Sequence, residues 1–293
     1  MILILEMIET SMGNKLRSVL QKQGEKTLLL TASQLAQEVS ISFSLNTHTT
    51  SFSLRYQDIF IQSEALKGVY CGVTSFLPSQ FPRFSPEDAR YAALETQALW
   101  LAMLSSLTCP LINPPALDTL AGSMLSPVEL AEHARKLGFK TPFMVCVESG
   151  ETAAQIYQSS ISARFSDMGK PWINENNWSQ IGLDMLSQNP NHFLIQENPP
   201  GLPIGIGVVG KHLLAYEIIT DAKFKKLEYS KIPGNIRSKI RKLQKDLHLN
   251  AAEYLFKYHH GEWMLCTVTN PLHFTLQAYP EDAYAALAAF LSE

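Results

Sequence analysis

The sequence predicts an α/β (α+β) fold, with an N-terminal α/β domain, a reduced central domain and a C-terminal antiparallel sheet flanked by helices. Three observations lead there. The chain opens strand–helix–strand. Two serine-capped, proline-initiated helices follow. From Phe193 onward it reads as two β-ribbons with a basic helix between them and a closing helix. The corresponding domain boundaries are 1–122, 123–192 and 193–293.

Each element has its own local reason. Met1–Leu5 is an unbroken apolar run of strand length. In Gly13–Gln23, Leu16, Val19 and Leu20 share one helical face. Lys26–Leu30 is a second strand, Ile41–Leu54 alternates weakly as a hairpin does, and Val69–Thr74 is a further apolar strand before a loop with Pro78 and Pro82. Ser85-Pro86-Glu87-Asp88 starts a helix. The serine accepts from an orphan amide, the proline sits where no amide is needed, and the acids meet the positive helix end. This helix, which carries Glu95, is expected to reach about Leu107 and to be largely buried. Cys109–Pro115 is a short strand and turn. Ser126-Pro127-Val128-Glu129 repeats the start signal, Gly138 closes that helix, and Pro142–Glu148 is a strand.

Residues 150–192 are the least regular stretch, read as a helix near Ala153–Tyr157, a strand near Ile161–Phe165 and a helix near Ser179–Ser187. Trp172 and Trp178 mark either a lid or partner surface, or the anchoring of a short segment. Phe193–Gln196 is a strand and Pro199-Pro200-Gly201 a turn. Ile204–Val209 and Leu213–Ile219 form a hairpin at Gly210-Lys211. Ile236, Ile240, Leu243 and Leu247 line one helix face; Arg237, Lys239, Arg241, Lys242 and Lys245 lie elsewhere on that helix, a run that is usually a solvated face. Tyr254–Tyr258 and Trp263–Val268 pair across His259-His260-Gly261, and Ala283–Leu291 is the last helix.

Composition narrows the function classes. With 46% hydrophobic and 17% charged residues the chain is globular, and a net charge of -3 offers no electrostatic footprint for nucleic acid. Cysteines 71, 109, 146 and 266 lack metal-site or disulfide-framework spacing, so buried reduced thiols are expected. The N-terminus lacks a basic flank and reads as a first strand, and no apolar stretch approaches membrane-spanning length. A cytoplasmic protein without membrane or nucleic-acid partners follows. No nucleophile elbow, phosphate loop, dinucleotide fingerprint or zinc-protease motif occurs, and no catalytic residue is assigned.

In order along the chain, these elements resemble the ATP-grasp superfamily, and most closely its ribosomal-protein glutamate ligases and the ligases that cross-link ribosomally made peptides. The resemblance rests on the strand–helix–strand start leading to LINPPA (111–116), on SPVELAEHARKLGFKTPFMV (126–145), and on FLIQE (193–197) as a hinge strand. It extends to VVGKHLLAYEI (208–218), KIPGNI, LQKDLHLN, and GEWML followed by Asn270-Pro271. It implies a pre-grasp domain, a lid-like central domain and a grasp domain that binds ATP and Mg2+. It implies nucleotide contacts from Arg164, Leu194, Ile195, Gln196 and Glu197, and metal ligands at Glu253 and Asn270.

The chain departs from the pattern where charge carries the chemistry. Gly122-Ser123-Met124 replaces a lysine segment, and the central region is shorter than the family's lid. Pro203 stands for an acid, Gly205 for an arginine and Val268 for a metal-binding acid. Gln196-Glu197 is a hinge or an ordinary strand end, and Glu253 is a lone ligand or, with better odds, a structural acid. Asn270-Pro271 is a ligand or, as favoured here, a turn. Two functions are therefore expected. The first is a pseudo-ligase that binds a peptide, protein or small ligand in a peptide-modification setting, with no cofactor. The alternative is an active ATP-dependent carboxylate–amine ligase acting through an acyl phosphate. A peptide or protein partner, and a homodimer, are compatible with both.

Overall fold

The computed structural model describes residues 1–45, 47, 50–117, 119–123, 125–147, 163–167, 193–197, 199–220, 223–270 and 272–293. The chain divides into two compact units. The first is built from Met1–Leu125, Gly205–Tyr254 and Val268–Glu293, the second from Ser126–Ile204 and Leu255–Thr267.

The first unit starts with a parallel sheet. Strands β1 (Ile2–Glu6), β2 (Thr27–Thr31), β6 (Gly68–Cys71) and β7 (Leu111–Ile112) lie in the order β2-β1-β6-β7. Every residue of β1 is buried, as a strand covered on both faces requires. Its alternation sorts two cores. Leu3 and Leu5 face one with Trp100 and Met103. Ile2 and Ile4 face another with Leu16, Leu20, Leu287 and Leu291. Helix α1 (Ser11–Lys22) connects β1 to β2 and is capped by Thr10, whose hydroxyl accepts from the Met12 and Gly13 amides. A short helix, α2 (Ala32–Gln37), follows β2. Strands β3 (Ser40–Leu45), β4 (Thr50–Tyr56) and β5 (Ile59–Gln62) form a separate antiparallel sheet.

Helix α3 (Pro86–Ser105) starts at Ser85 as the sequence indicates, but it is not largely buried. Ala89, Ala93, Trp100, Met103 and Leu104 are covered, whereas Tyr91 and Leu94 are exposed at 66% and 65%. The helix packs by one stripe, and its apolar content spreads beyond that stripe. The cysteines also differ from expectation. All four are free, only Cys71 is buried, and Cys146 is exposed. Asn113, fully buried after β7, donates to the Ala251 carbonyl (2.8 Å) and accepts from the Ala251 amide (2.7 Å), so its side chain serves as an edge for the strand that starts there.

A five-stranded sheet runs β13-β12-β11-β14-β15, formed by β11 (Leu202–Val209), β12 (His212–Thr220), β13 (Lys223–Leu227), β14 (Ala251–His259) and β15 (Glu262–Thr269). Helix α5 (Gly234–Asp246) buries Ile236, Ile240 and Leu243 as the periodicity predicts. Helices α6 (His273–Ala278) and α7 (Pro280–Leu291) end the chain. The β14–β15 turn has positive φ at His260 (48°) and Gly261 (85°), the primed geometry that suits a twisted ribbon, and it leaves His259 and His260 exposed.

The second unit contains helix α4 (Pro127–Lys136), whose Ser126–Glu129 capping box is complete. Strands β8 (Met144–Val147), β9 (Ala163–Asp167) and β10 (Phe193–Glu197) form an antiparallel sheet ordered β8-β10-β9. Phe139, Phe256 and Trp263 contact one another in that order, the first pair tilted and the second edge-on, with centroids 5.8 and 5.6 Å apart. The expected helices at 153–157 and 179–187, Trp172 and Trp178 lie outside the described residues.

Candidate functional site

Two places in the first unit bear on function. One surrounds Glu253. Strand β14 carries Glu253 into the interior, where it is fully buried. One carboxylate oxygen accepts from the Tyr216 hydroxyl, the Thr275 amide and the Thr275 hydroxyl, each at 2.6 Å; the other accepts from the Phe274 amide at 3.3 Å. The two amides belong to the first turn of α6, where helix geometry leaves N–H groups without intrahelical partners and favours negative charge. Glu253 thus caps a helix from a distant strand.

The neighbouring glycines make this possible. A Cβ at Gly205 would fall under 3.0 Å from three atoms of the Tyr216 side chain, and one at Gly207 would collide equally with Thr275. Tyr216 occupies the room beside Gly205, fully buried, with its ring edge-on to Phe224 at 5.6 Å and 89°. Burial first, and then the adjacent Glu253 carboxylate, push the Tyr216 phenol well above its ordinary pKa, so it stays a donor.

The second place is a cavity of about 400 Å3 at the carboxyl ends of β1 and β6. Glu6, Thr10, Met12, Tyr70 and Cys71 line it from the parallel sheet and α1; Asn270, His273 and Tyr284 line it from the end of the chain. Glu6 is 4% exposed. Its oxygens accept from the Thr10 amide (3.1 Å) and the Thr10 hydroxyl (2.7 Å). The Tyr70 hydroxyl approaches the Met12 sulfur at 3.2 Å. Burial, with the Glu6 charge second, raises the pKa of Tyr70 and of Tyr284, and burial pushes the Cys71 thiol up to about 12. None of these groups ionises near neutrality.

The residues nominated from the sequence divide between the units. Asn270 is on the cavity wall, where its side-chain amide donates to the Ala121 carbonyl. Glu253 is not on that wall and sits in its own shell of donors. In the second unit, the β9–β10 register places Gln196 opposite Arg164 and Ile195 opposite Phe165, while Leu194 and Glu197 flank them on β10. Gln196 is buried and donates to the Cys266 carbonyl at 3.1 Å. Among the described residues no three His, Cys, Asp or Glu side chains gather as a metal site. The sequence reading missed Glu6, Tyr70 and the cavity. The available signal was an acid closing an otherwise apolar first strand, ILILE.

The sequence matches no protein-family model and no curated protein. Solved structures match it along its whole length. The macrocyclase MdnC of Microcystis aeruginosa MRC, solved with its precursor peptide MdnA, gives a TM-score of 0.73 at 16% identity over 99% of each chain. A RiPP-associated ATP-grasp ligase of Chryseobacterium gregarium, in complex with ADP and a leader and core peptide, gives 0.71 at 16% identity, covering 99% of this chain and 96% of that one. The fold is that of the ATP-grasp superfamily. In fold it resembles solved RiPP-associated ligases. A RimK domain ATP-grasp protein of Sphaerobacter thermophilus DSM 20745 aligns over 100% of this chain and 99% of its own, with a TM-score of 0.56 at 11% identity.

Proposed function

We propose that this chain is a degenerate ATP-grasp protein, a pseudo-ligase that holds a peptide, protein or small ligand in a peptide-modification setting and performs no ATP chemistry. The observation that carries the reading is the shell around Glu253. Magnesium requires open oxygen ligands in near-octahedral order. The Glu253 carboxylate instead accepts four bonds from Tyr216, Thr275 and Phe274. Val268 brings no side-chain oxygen two residues before Asn270, and at Gly205 the room for a side chain is taken by the Tyr216 ring. These residues do not fit a magnesium-bound phosphate. A peptide as ligand is supported by the solved relatives, which include a macrocyclase bound to a precursor peptide and a ligase bound to leader and core peptide. A cytoplasmic location belongs to the same reading and rests on the four free thiols, which suit a reducing compartment.

Thermal melting with ATP and Mg2+ tests it. A ligand at a hundredfold excess over its Kd stabilises by about 2.7 kcal/mol, so real nucleotide binding would raise Tm by several degrees. The expected result is an unchanged Tm. A rise that EDTA reverses would sink the pseudo-ligase reading in favour of an active ligase.

A further inference from the structure

Helix α5 ends beside a further cavity in the first unit, of about 300 Å3. Pro114, Arg241, Gln244, Lys245, His248 and Asn250 line most of it, and no acid is among the lining residues. Asn250 donates to the Leu111 carbonyl at 2.7 Å, which ties this wall to β7. The cavity is separate from the Glu253 shell. Glu253 and Tyr254 are successive on β14, so they point to opposite faces of the sheet. Glu253 meets α6, whereas the Tyr254 phenol lies near enough to Arg241 for the two to interact electrostatically. Helix α5 therefore covers the face away from Glu253.

Two observations point to a ligand. The first is charge. Arg241 uses its terminal nitrogens on Gly210, Lys211 and Gln244 and keeps its Nε–H free. The Lys245 ammonium and the His248 ring make no ion pair or hydrogen bond among the described residues. Cations in a last helical turn also meet the negative end of the helix. Here the chain itself answers that end: the Leu243, Gln244 and Lys245 carbonyls accept from the Leu247, Leu249 and His248 amides at 2.9, 3.0 and 3.1 Å. The second observation is strain. The same bonds place His248 at φ 52°, in the left-handed region. Helix ends of this kind usually have glycine there, which carries no Cβ penalty. This chain has an imidazole instead, at the cavity wall. A bulky side chain held in a costly backbone conformation points to a use for that side chain.

We propose that this cavity binds the phosphate group of a phosphate monoester. Such a group carries nearly two negative charges and three acceptor oxygens. Lys245, His248 and the Arg241 Nε–H supply a donor for each oxygen, whereas a carboxylate would leave cations uncompensated. The volume is at the low end for ligand sites and suits one headgroup on a short stem. The carrier is a free small phosphate monoester or a phosphorylated serine; the headgroup is common to both. Neither ATP nor Mg2+ enters, so the site stands apart from the pseudo-ligase reading.

The probes are methyl phosphate, acetate as the singly charged control, and N-acetyl-O-phospho-L-serine N-methylamide. Amide NMR of the full chain follows residues 247–250 at constant ionic strength, because exposed charges are screened by salt. The expected result is a saturable shift with methyl phosphate and about tenfold weaker binding of acetate. Lys245→Gln and His248→Gly should each weaken methyl phosphate about tenfold by removing a charged donor. His248→Gly should at the same time leave Tm unchanged or raise it, because glycine relieves the left-handed backbone. That separates binding from folding. Tighter binding of the phosphoserine probe than of methyl phosphate assigns the site to a phosphorylated protein segment. Equal or weaker binding assigns it to a free phosphate monoester. The proposal is overturned if no saturable shift occurs, if acetate binds as well as methyl phosphate, or if either variant binds undiminished. A lower Tm for His248→Gly would make His248 a support of the fold and would overturn it as well.

Discussion

At position 205 the lack of a side chain determines what position 216 can hold. Tyr216 fills the room that a Cβ would take and donates to Glu253, so residues 205, 216, 253 and 275 depend on one another. Gly205→Ala should therefore destabilise by about 1–3 kcal/mol through overpacking. Tyr216→Phe, which removes a hydrogen bond to a charged group, should cost about 1.5–3 kcal/mol. Urea midpoints measure both, and a shift below 0.5 kcal/mol in either would contradict this account of the shell. The resemblance read from the sequence implies an arginine at position 205, five residues before the hairpin glycine, where this chain has Gly205. That Tyr216 takes the space was not legible in the sequence, because it depends on how the strands lie beside one another and not on local pattern.

Helix α5 shows how an element can be read correctly and still be misjudged in role. Its apolar stripe follows from spacing alone, but its cations do not form one solvated face. The Arg241 guanidinium donates to the Gly210 carbonyl at 2.6 Å and also to that of Lys211, while the Gln244 side chain reaches Gly210 at 3.3 Å. Gly210 has a positive φ of 51°, and these donors satisfy the carbonyls of the turn it makes between β11 and β12. Arg237 stacks over the Tyr229 ring at 4.3 Å, and Lys242 and Lys245 are exposed. Arg241→Gln should cost about 1.5–3 kcal/mol and speed amide exchange around the turn, since it removes a charged donor from two turn carbonyls. Reversing Lys242 and Lys245 together should leave stability within about 0.5 kcal/mol per site. Equal losses in the two variants, measured by denaturant unfolding with hydrogen exchange, would mean that Arg241 supports nothing specific. Long elements with caps or turns, such as α1, α3, α4 and the two ribbons, were legible in the sequence. Short α2, α6, β5 and β13 were not, because a turn or two of helix or a brief edge strand takes its stability from tertiary packing rather than from its own pattern.

On the scale of the whole molecule, several phenols are held neutral by burial. Tyr70, Tyr216 and Tyr254 all have pKa values raised above the ordinary 10, chiefly by desolvation. The unfolded chain ionises these groups near pH 10 while the folded chain keeps them protonated. Their contribution to stability is therefore complete below pH 10 and declines as pH rises above it, by about 1.4 kcal/mol per pH unit for each phenol. Unfolding monitored by tyrosinate absorbance should be cooperative and begin above pH 10; gradual ionisation without unfolding would contradict it. The segment pattern of the first unit has a further outcome, for the chain as it is made. Its core joins Ile2, Ile4 and Leu16 to Leu287 and Leu291, and at Gly68 a Cβ would meet the Leu291 carbonyl. β1 and α1 leave the ribosome before α7 does, so β1 emerges with one apolar face uncovered until α7 follows it. β1 is therefore a segment that needs protection during synthesis, and truncation within α7 should leave the parallel sheet of the first unit with an open apolar face that aggregates rather than folds.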